Sequence, residues 1–452
     1  MVSSFLQRKD RPANISYRRH NQLMLVPQKN RQVPEIERMA GIECYCTPGF
    51  EGTGGAIKQG AGGDFIVSEL VDESVLDFAP RYGGAHRYPL YVLEKQGVDS
   101  NHALFEIERG HRLRLRVMGI KDARAFTRQY AGAQRAWENP PKELQTRHTK
   151  ITLRGFTKRP IGKESLAGNE FTITVHGAQH AARMDEEFVP LIAEIANFYG
   201  LQRFGSERLV THLVGRAIVK RDFAQAVHLL LTYTTEYDTE SSREIRAKCS
   251  DPASYGQALR MMPRGMDIER QLLSALAAGR DAVSALRAVS ITIRRLFVQA
   301  YQSYLFNLCL SRALAAGEDI AAPRPGDLCF EMEGPMTFGR IARFDPSSKK
   351  QQVPAVRMAG YTFQPGKGRF ELLTKELLEQ EGVVPRDFYI KEMQELSQQG
   401  GFRQAPLWCR DFTYRQEGGS ALVVSFKLPK GSYATTLLRE LVKPADPIRA
   451  GF

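Results

Sequence analysis

The sequence predicts an α+β protein of two domains, one inserted into the other. Three features point there. Both ends of the chain carry the period-two alternation of half-buried strands, the middle carries helical periodicity, and 452 residues exceed what one hydrophobic core usually organises. The expected division is a basic arm at 1–35, a strand-rich domain from 36–220 and 403–452, and a helix-rich insertion at 221–402.

The arm sets Arg8, Lys9, Arg11, Arg18, Arg19, Lys29 and Arg31 against Asp10. It reads either as a segment that touches nucleic acid or as a solvated tail. A short helix at 33–41 is closed by Gly41, and a glycine-rich stretch over 47–64 follows. That stretch lacks the Gly-x-x-x-x-Gly-Lys-Ser/Thr spacing of a nucleotide loop, so its glycines are assigned to tight turns ahead of the strand 64–69 (DFIVSE). Lys58 stands just before that strand.

Further strands are expected at 86–93, 112–117, 151–156 and 170–176, and helices at 101–109 and 181–197. Residues 135–150 read as a polar loop and 158–163 as a compact basic turn bearing Lys158, Arg159 and Lys163. From 206 the periodicity becomes helical through 206–232, 254–280 and 281–316. The stripe Phe297, Tyr301, Tyr304 and Leu308 is assigned to core packing ahead of base stacking. Arg294 and Arg295 read as phosphate contacts or as a solvated helix face. Short strands at 327–345 and helices at 370–380 and 386–399 come next. The strands 408–415 and 420–427 form a hairpin across Gly418-Gly419, and a closing helix spans 434–442.

A formal charge of +13 favours a polyanionic partner through counterion release without choosing among DNA, RNA and acidic membrane. The six cysteines include one close pair, Cys44 and Cys46, and no four-ligand zinc spacing, so free thiols are expected. No run of 18 apolar residues suggests a membrane span, and the N-terminus carries no secretory h-region, which assigns the chain to the cytoplasm.

The stretch most suggestive of chemistry is Gly119-Ile120-Lys121-Asp122-Ala123-Arg124, with Arg128 beyond it. Its approach, 112–117, alternates strictly, with Leu113, Leu115 and Val117 inward and Arg112, Arg114 and Arg116 outward. Asp122 therefore stands in a turn inside a positive field. On the residues alone it is either a reactive carboxylate facing an anionic substrate or a solvated counter-ion on a basic strand face.

Five ordered motifs between 58 and 440 resemble the TruD family of tRNA pseudouridine synthases, in the long form of its archaeal branch. The family's Gly-x-Lys-Asp-x-x-Ala-x-Thr-x-Gln pattern falls on Gly119 to Gln129, and its N-terminal lysine falls on Lys58. Its Asn-x-Phe-Gly-x-Gln-Arg-Phe-Gly motif falls on Asn197 to Gly205, which includes Arg203. Ser303 to Asn307 match a helical motif of the family's inserted domain. The motif Phe-x-Leu-Pro-x-Gly-Ser-Phe/Tyr-Ala-Thr-x-x-Leu-Arg-Glu falls on Phe426 to Glu440. Two departures stand out: Ala123 where most members have arginine, and Tyr199 where many have phenylalanine.

The resemblance implies a pseudouridine synthase-like catalytic domain with a mixed, largely antiparallel sheet and an inserted helix-rich domain that forms the opposite wall of the cleft. It implies isomerisation of a uridine in tRNA, at position 13 in the D-arm, with Asp122 as nucleophile. Lys58 or Arg124 would form its ion pair, Lys121 would flank it, and Tyr199, Phe426 and Asn197 would hold the detached uracil. The RNA-binding set would be Arg112, Arg114, Arg116, Arg128, Lys158, Arg159, Lys163, Arg203, Arg294 and Arg295. The partner would be tRNA rather than DNA or membrane, and the protein a monomer. The reaction moves the base from N1 to C5 with no net loss of atoms or electrons, so neither metal nor redox cofactor is demanded. Three other readings remain: a silent RNA-binding protein, a synthase acting on another RNA, and a glycosidase, which needs a second carboxylate such as Glu69.

Overall fold

The computed structural model describes residues 32–58, 63–179 and 181–452. The basic arm expected at 1–35 lies outside these residues up to position 31.

A large sheet organises the chain. Its strand order is Arg410–Glu417, Ala421–Pro429, Leu166–His176, Phe65–Val71, Phe126–Ala133, Tyr88–Lys95, Thr149–Thr157 and Phe78–Ala79. Among the described residues only Phe65–Val71 and Phe126–Ala133 pair in parallel, and every other pairing is antiparallel. The expected mixed, largely antiparallel sheet is therefore present. Its first hairpin turns through Gly418 and Gly419 at φ +53° and +81°, where side chains are strained and glycine is not. A second sheet, ordered Phe338–Arg343, Leu328–Met332, Gln352–Met358 and Gly401–Gln404, lies later in the chain and is wholly antiparallel.

Between the sheets run helices, dominated by the 25-residue Ile291–Ala315, whose first turn is capped by Ser290 Oγ. Its stripe Phe297, Tyr301 and Leu308 is buried, as core packing requires. Thr211–Val219 crosses it so closely that a Cβ on Gly215 would meet the Phe297 carbonyl oxygen at 1.9 Å. The closing helix Ala434–Val442 is buried along its whole length. Arg439 ties it to the start of the described chain, donating to Glu37 Oε1 at 3.0 Å and Oε2 at 2.9 Å. Glu440 in turn accepts from the backbone N–H groups of Cys46 and Thr47.

Several expected elements are corrected. The strand foreseen at 112–117 is reduced to Leu115–Val117, because Arg112 ends the preceding helix in the left-handed region at φ +52°. The polar loop 135–150 contains a short strand, Glu143–Gln145. The helix expected at 181–197 is a run of 3-10 and π turns, in which Pro190 can donate no helical hydrogen bond. The one at 386–399 is likewise two 3-10 turns. The long helical stretches break into shorter helices, with Glu240–Lys248 arising where none was expected.

Gly215→Ala forces the two crossing helices apart. Its expected cost is about 1–3 kcal/mol, read as a lower urea midpoint with unchanged slope.

Candidate active site

The parallel pair fixes the place of the site. Since both strands start at the same end of the sheet, the loop entering Phe126–Ala133 arrives beside the start of Phe65–Val71. Cross-strand register then sets Lys95, Thr127, Val67, Phe171 and Phe426 side by side over five strands. Directly opposed residues share a face, so this row makes a floor with a lysine at one end and rings at the other.

Above the floor opens a cleft of about 810 Å³. One side is the loop Ile120–Ala125 with Asp99. The floor is Phe65, Val67, Thr127, Asn169 and Phe171, and the facing wall is Gln202, Gly205–Glu207 and Ser432–Thr435. Asp122 stands exposed in this cleft, with Lys121 and Arg124 also lining it.

The loop that carries Asp122 is held at successive residues. Gln129 Nε2 donates to the Gly119 carbonyl at 3.3 Å, and the Lys121 N–H donates to Ser100 Oγ at 2.8 Å. Ser100 Oγ donates to Gln129 Oε1 at 2.8 Å, which closes the set. Lys95 Nζ donates to the Asp122 carbonyl at 2.7 Å and to the Val98 carbonyl at 2.9 Å. Lys121 Nζ lies 2.9 Å from Glu69 Oε1, and Glu69 Oε2 accepts from the Tyr130 N–H at 3.0 Å. Asp99 caps the helix Ser100–His111, accepting from Asn101 N–H at 2.7 Å and His102 N–H at 3.2 Å.

Lys95 is only 1% exposed. Burial pushes its ammonium from an ordinary 10.5 down to about 8, while the Asp122 and Asp99 carboxylates pull it back up. Burial also raises the Glu69 carboxyl, against the opposing pull of Lys121.

Some expected site residues are elsewhere. Lys58 is exposed and outside the cleft lining, and it is Lys95 that meets the Asp122 loop. Phe426 is 1% exposed and lies beside Phe171 on the next strand, stacked at 5.4 Å and 27° and outside the cleft lining, so the rings facing the cleft are Phe65, Phe171 and Tyr433. Tyr199 packs edge-on against Tyr433 at 5.9 Å and Phe306 at 5.4 Å, one layer behind the wall. Asn197 is buried, and its amide is taken up by Arg403 and Gln404. Nothing from 221–402 lines the cleft, which corrects the expectation that the insertion forms its opposite wall.

Of the expected RNA contacts, Arg294 is buried against Glu395 and the Val289 carbonyl, and Arg295 donates to the Glu395 carbonyl. Arg203 is half-buried, its guanidinium 5.3 Å from the Tyr199 ring. The others are exposed: Arg114, Arg128 and Lys158 pair with Glu108, Glu94 and Asp77, and Arg112, Arg116, Arg159 and Lys163 face solvent.

A family model described as tRNA pseudouridine synthase D (TruD) matches residues 39–441. The chain belongs to the TruD family of tRNA pseudouridine synthases. A relative from Methanopyrus kandleri, described as a "Probable tRNA pseudouridine synthase D", is 36% identical over 80% of this chain and 87% of its own length. One of the same description from Pyrobaculum neutrophilum is 32% identical over 93% of this chain and its full length. A crystal structure described as that of the "Putative tRNA pseudouridine synthase D (TruD)" from Methanosarcina mazei superposes with a TM-score of 0.76 at 27% identity, covering 93% of this chain and all of that one. The TruD fold and the long archaeal form are thus present here, and the family's activity is the isomerisation of uridine in tRNA to pseudouridine. Among the described residues no helix is long and apolar enough to cross a membrane.

Lys95→Met removes a charge and two hydrogen bonds beneath the Asp122 loop. We expect kcat to fall about a hundredfold. In the wild type, activity should decline as pH rises through about 8 and Lys95 loses its proton; that limb should vanish in the variant. The stability contribution has the opposite sign. Between about 8 and 10.5 the unfolded chain holds a proton that the folded chain has released, so this lysine makes stability rise with pH. Parallel pH profiles of turnover and of urea midpoint separate the two.

Proposed function

We propose that Asp122 is the nucleophile of a tRNA pseudouridine synthase that acts on the uridine at position 13. The observation that carries this reading is the state of the carboxylates around the Asp122 loop; Glu207, exposed on the facing wall, lies outside the nucleophile motif. Asp99 is engaged in capping a helix, and Glu69 is engaged by Lys121 and the Tyr130 N–H. Asp122 is exposed on a loop pinned on both sides, at the position of the family's nucleophile motif.

The carboxylate attacks C1′, or removes a C2′ proton to give a glycal, and the N1–C1′ bond breaks. The freed uracil turns and C5 bonds to C1′, as the aspartyl–C1′ bond breaks on the first route or as the carboxyl returns its proton to C2′ on the second; the proton then leaves C5, and N1 gains one. Lys95, Lys121 and Arg124 keep the region around the carboxylate positive. Phe171 and Tyr433 offer the uracil ring faces while it turns, with Phe426 and Tyr199 packed against them. Extrusion of the base from its stack costs a few kcal/mol, which contacts between the basic surface and the RNA backbone offset. In the same reading 221–402 is an inserted domain that braces the wall from behind, and the protein works as a monomer.

Asp122→Asn should abolish pseudouridine formation while leaving tRNA affinity within a few-fold. Pseudouridine mapping on tRNA incubated with each protein reads the first, and filter binding the second. Conversion at the wild-type rate by the variant rejects Asp122 as nucleophile. Conversion of a uridine other than 13 by the wild type rejects the proposed position.

A further inference from the structure

The cleft wall opposite Asp122 has a chemistry that the nucleophile does not use. The helix Ala434–Val442 begins there, and its N-cap, Tyr433, supplies no side-chain acceptor to the first turn. A helix start presents unpaired N–H groups and the positive end of the macrodipole. Thr435, in that first turn, is 8% exposed, lines the cleft, and its Oγ1 has no hydrogen-bond partner among the described residues. Ser432, just before the helix, lines the cleft with a buried and unpartnered Oγ.

Behind these groups sits a buried cation. Arg403 is 7% exposed and donates to the Asn197 carbonyl at 3.1 Å, Asn197 Oδ1 at 2.9 Å and the Gly431 carbonyl at 2.8 Å. Its partners are neutral oxygens, and no carboxylate pairs with it among the described residues. Its guanidinium lies 4.0 Å from the centre of the Tyr199 ring and 5.9 Å from that of Tyr433. Arg203 approaches the same Tyr199 ring at 5.3 Å and its charge opposes that of Arg403. Two guanidinium groups on one ring repel, and burying a charge without a counter-charge is costly. Glu207 is the carboxylate on this wall, and it is exposed, where water screens it.

A helix start and two buried hydroxyls without partners meet at this wall, with a buried cation that has no carboxylate partner behind them, and together they suit an anion that accepts several hydrogen bonds. We propose that this wall is a phosphate site, in which Ser432, Thr435 and the first turn of Ala434–Val442 hold a backbone phosphate next to the uridine whose C1′ faces Asp122. The inference rests on the functional reading above. A nucleotide that enters the cleft brings its own phosphates with it, so one of them can sit on this wall while its sugar faces Asp122. The contact fixes the sugar without touching the base, and leaves the uracil free to turn after the glycosidic bond breaks.

The test couples a protein change to an RNA change. Binding is measured on full-length Asp122→Asn protein, with and without Thr435→Val. The ligands are a tRNA transcript and two versions carrying one neutral methylphosphonate linkage, 5′ or 3′ of the converted uridine. Thr435→Val should weaken binding of unmodified RNA about tenfold, the loss of one charge-assisted hydrogen bond. One of the two methylphosphonates should weaken binding at least as much, and with that RNA the Thr435→Val effect should disappear. Ser432→Ala should show the same non-additivity and serves if Thr435→Val does not fold. Equal effects of Thr435→Val on all three RNAs, or no effect, overturn the phosphate site. A wild-type enzyme that converts uridine while the coupling is absent loses this site alone. One that converts no uridine overturns the functional reading and this site with it.

Discussion

The site depends on a buried positive charge beneath a loop. Lys95 takes up the Asp122 carbonyl from below and fixes the loop's height over the sheet. Its burial would be prohibitive without compensation, and the compensation comes from two carbonyl oxygens and the carboxylates of Asp122 and Asp99. Lys95 reaches the loop because the register sets it opposite Thr127, in the strand that the loop enters. The geometry of the proposed site is thus a consequence of sheet pairing, and a slip of one residue would turn Lys95 to the other face.

Preorganisation explains why the loop needs so many partners. A carboxylate that must meet one sugar carbon gains from being held before the substrate arrives. Ser100 and Gln129 bond both to each other and to the loop, so that moving either disturbs both. Glu69 draws Lys121 away from Asp122 while keeping its charge nearby. Ala123 fits this arrangement: the charges next to Asp122 come from Lys121 and Arg124 on either side of it in the cleft, so an arginine at 123 is not needed to make the loop positive.

The sequence was informative where a pattern is local. Phe65–Val71 and Leu166–His176 alternate and formed where expected, because each buries mainly one face, and the closing hairpin formed where its Gly418-Gly419 turn placed it, although Leu422, Val423 and Val424 are buried in succession. Gln352–Met358 escaped because four successive residues are buried, which erases the period-two signal, and because Pro354 argues against a strand. In the site, Asp122 was legible from its motif and its cationic neighbours. Lys95 was not, since a lysine ending a strand looks like a solvated one until the fold closes over it. Asn197 and Phe426 illustrate the converse: a motif residue can be buried outside the cleft lining, shaping the groups that face it.

The two walls of the cleft differ in how they treat charge. On the Asp122 side Lys95, Lys121 and Asp99 each have partners within the protein, while Asp122 and Arg124 stand exposed. On the far side Arg403 and Arg203 share an aromatic ring, and the helix start lacks a side-chain cap. Stability alone would favour pairing these groups, since each unsatisfied buried donor costs on the order of 1–3 kcal/mol. A wall that tolerates that cost is suited to a ligand bringing its own negative charge, and a polynucleotide does so at every residue. In the proposed reading the Asp122 wall handles the sugar and the far wall the backbone, and the ring faces of Phe171 and Tyr433 are left for the base that turns between them.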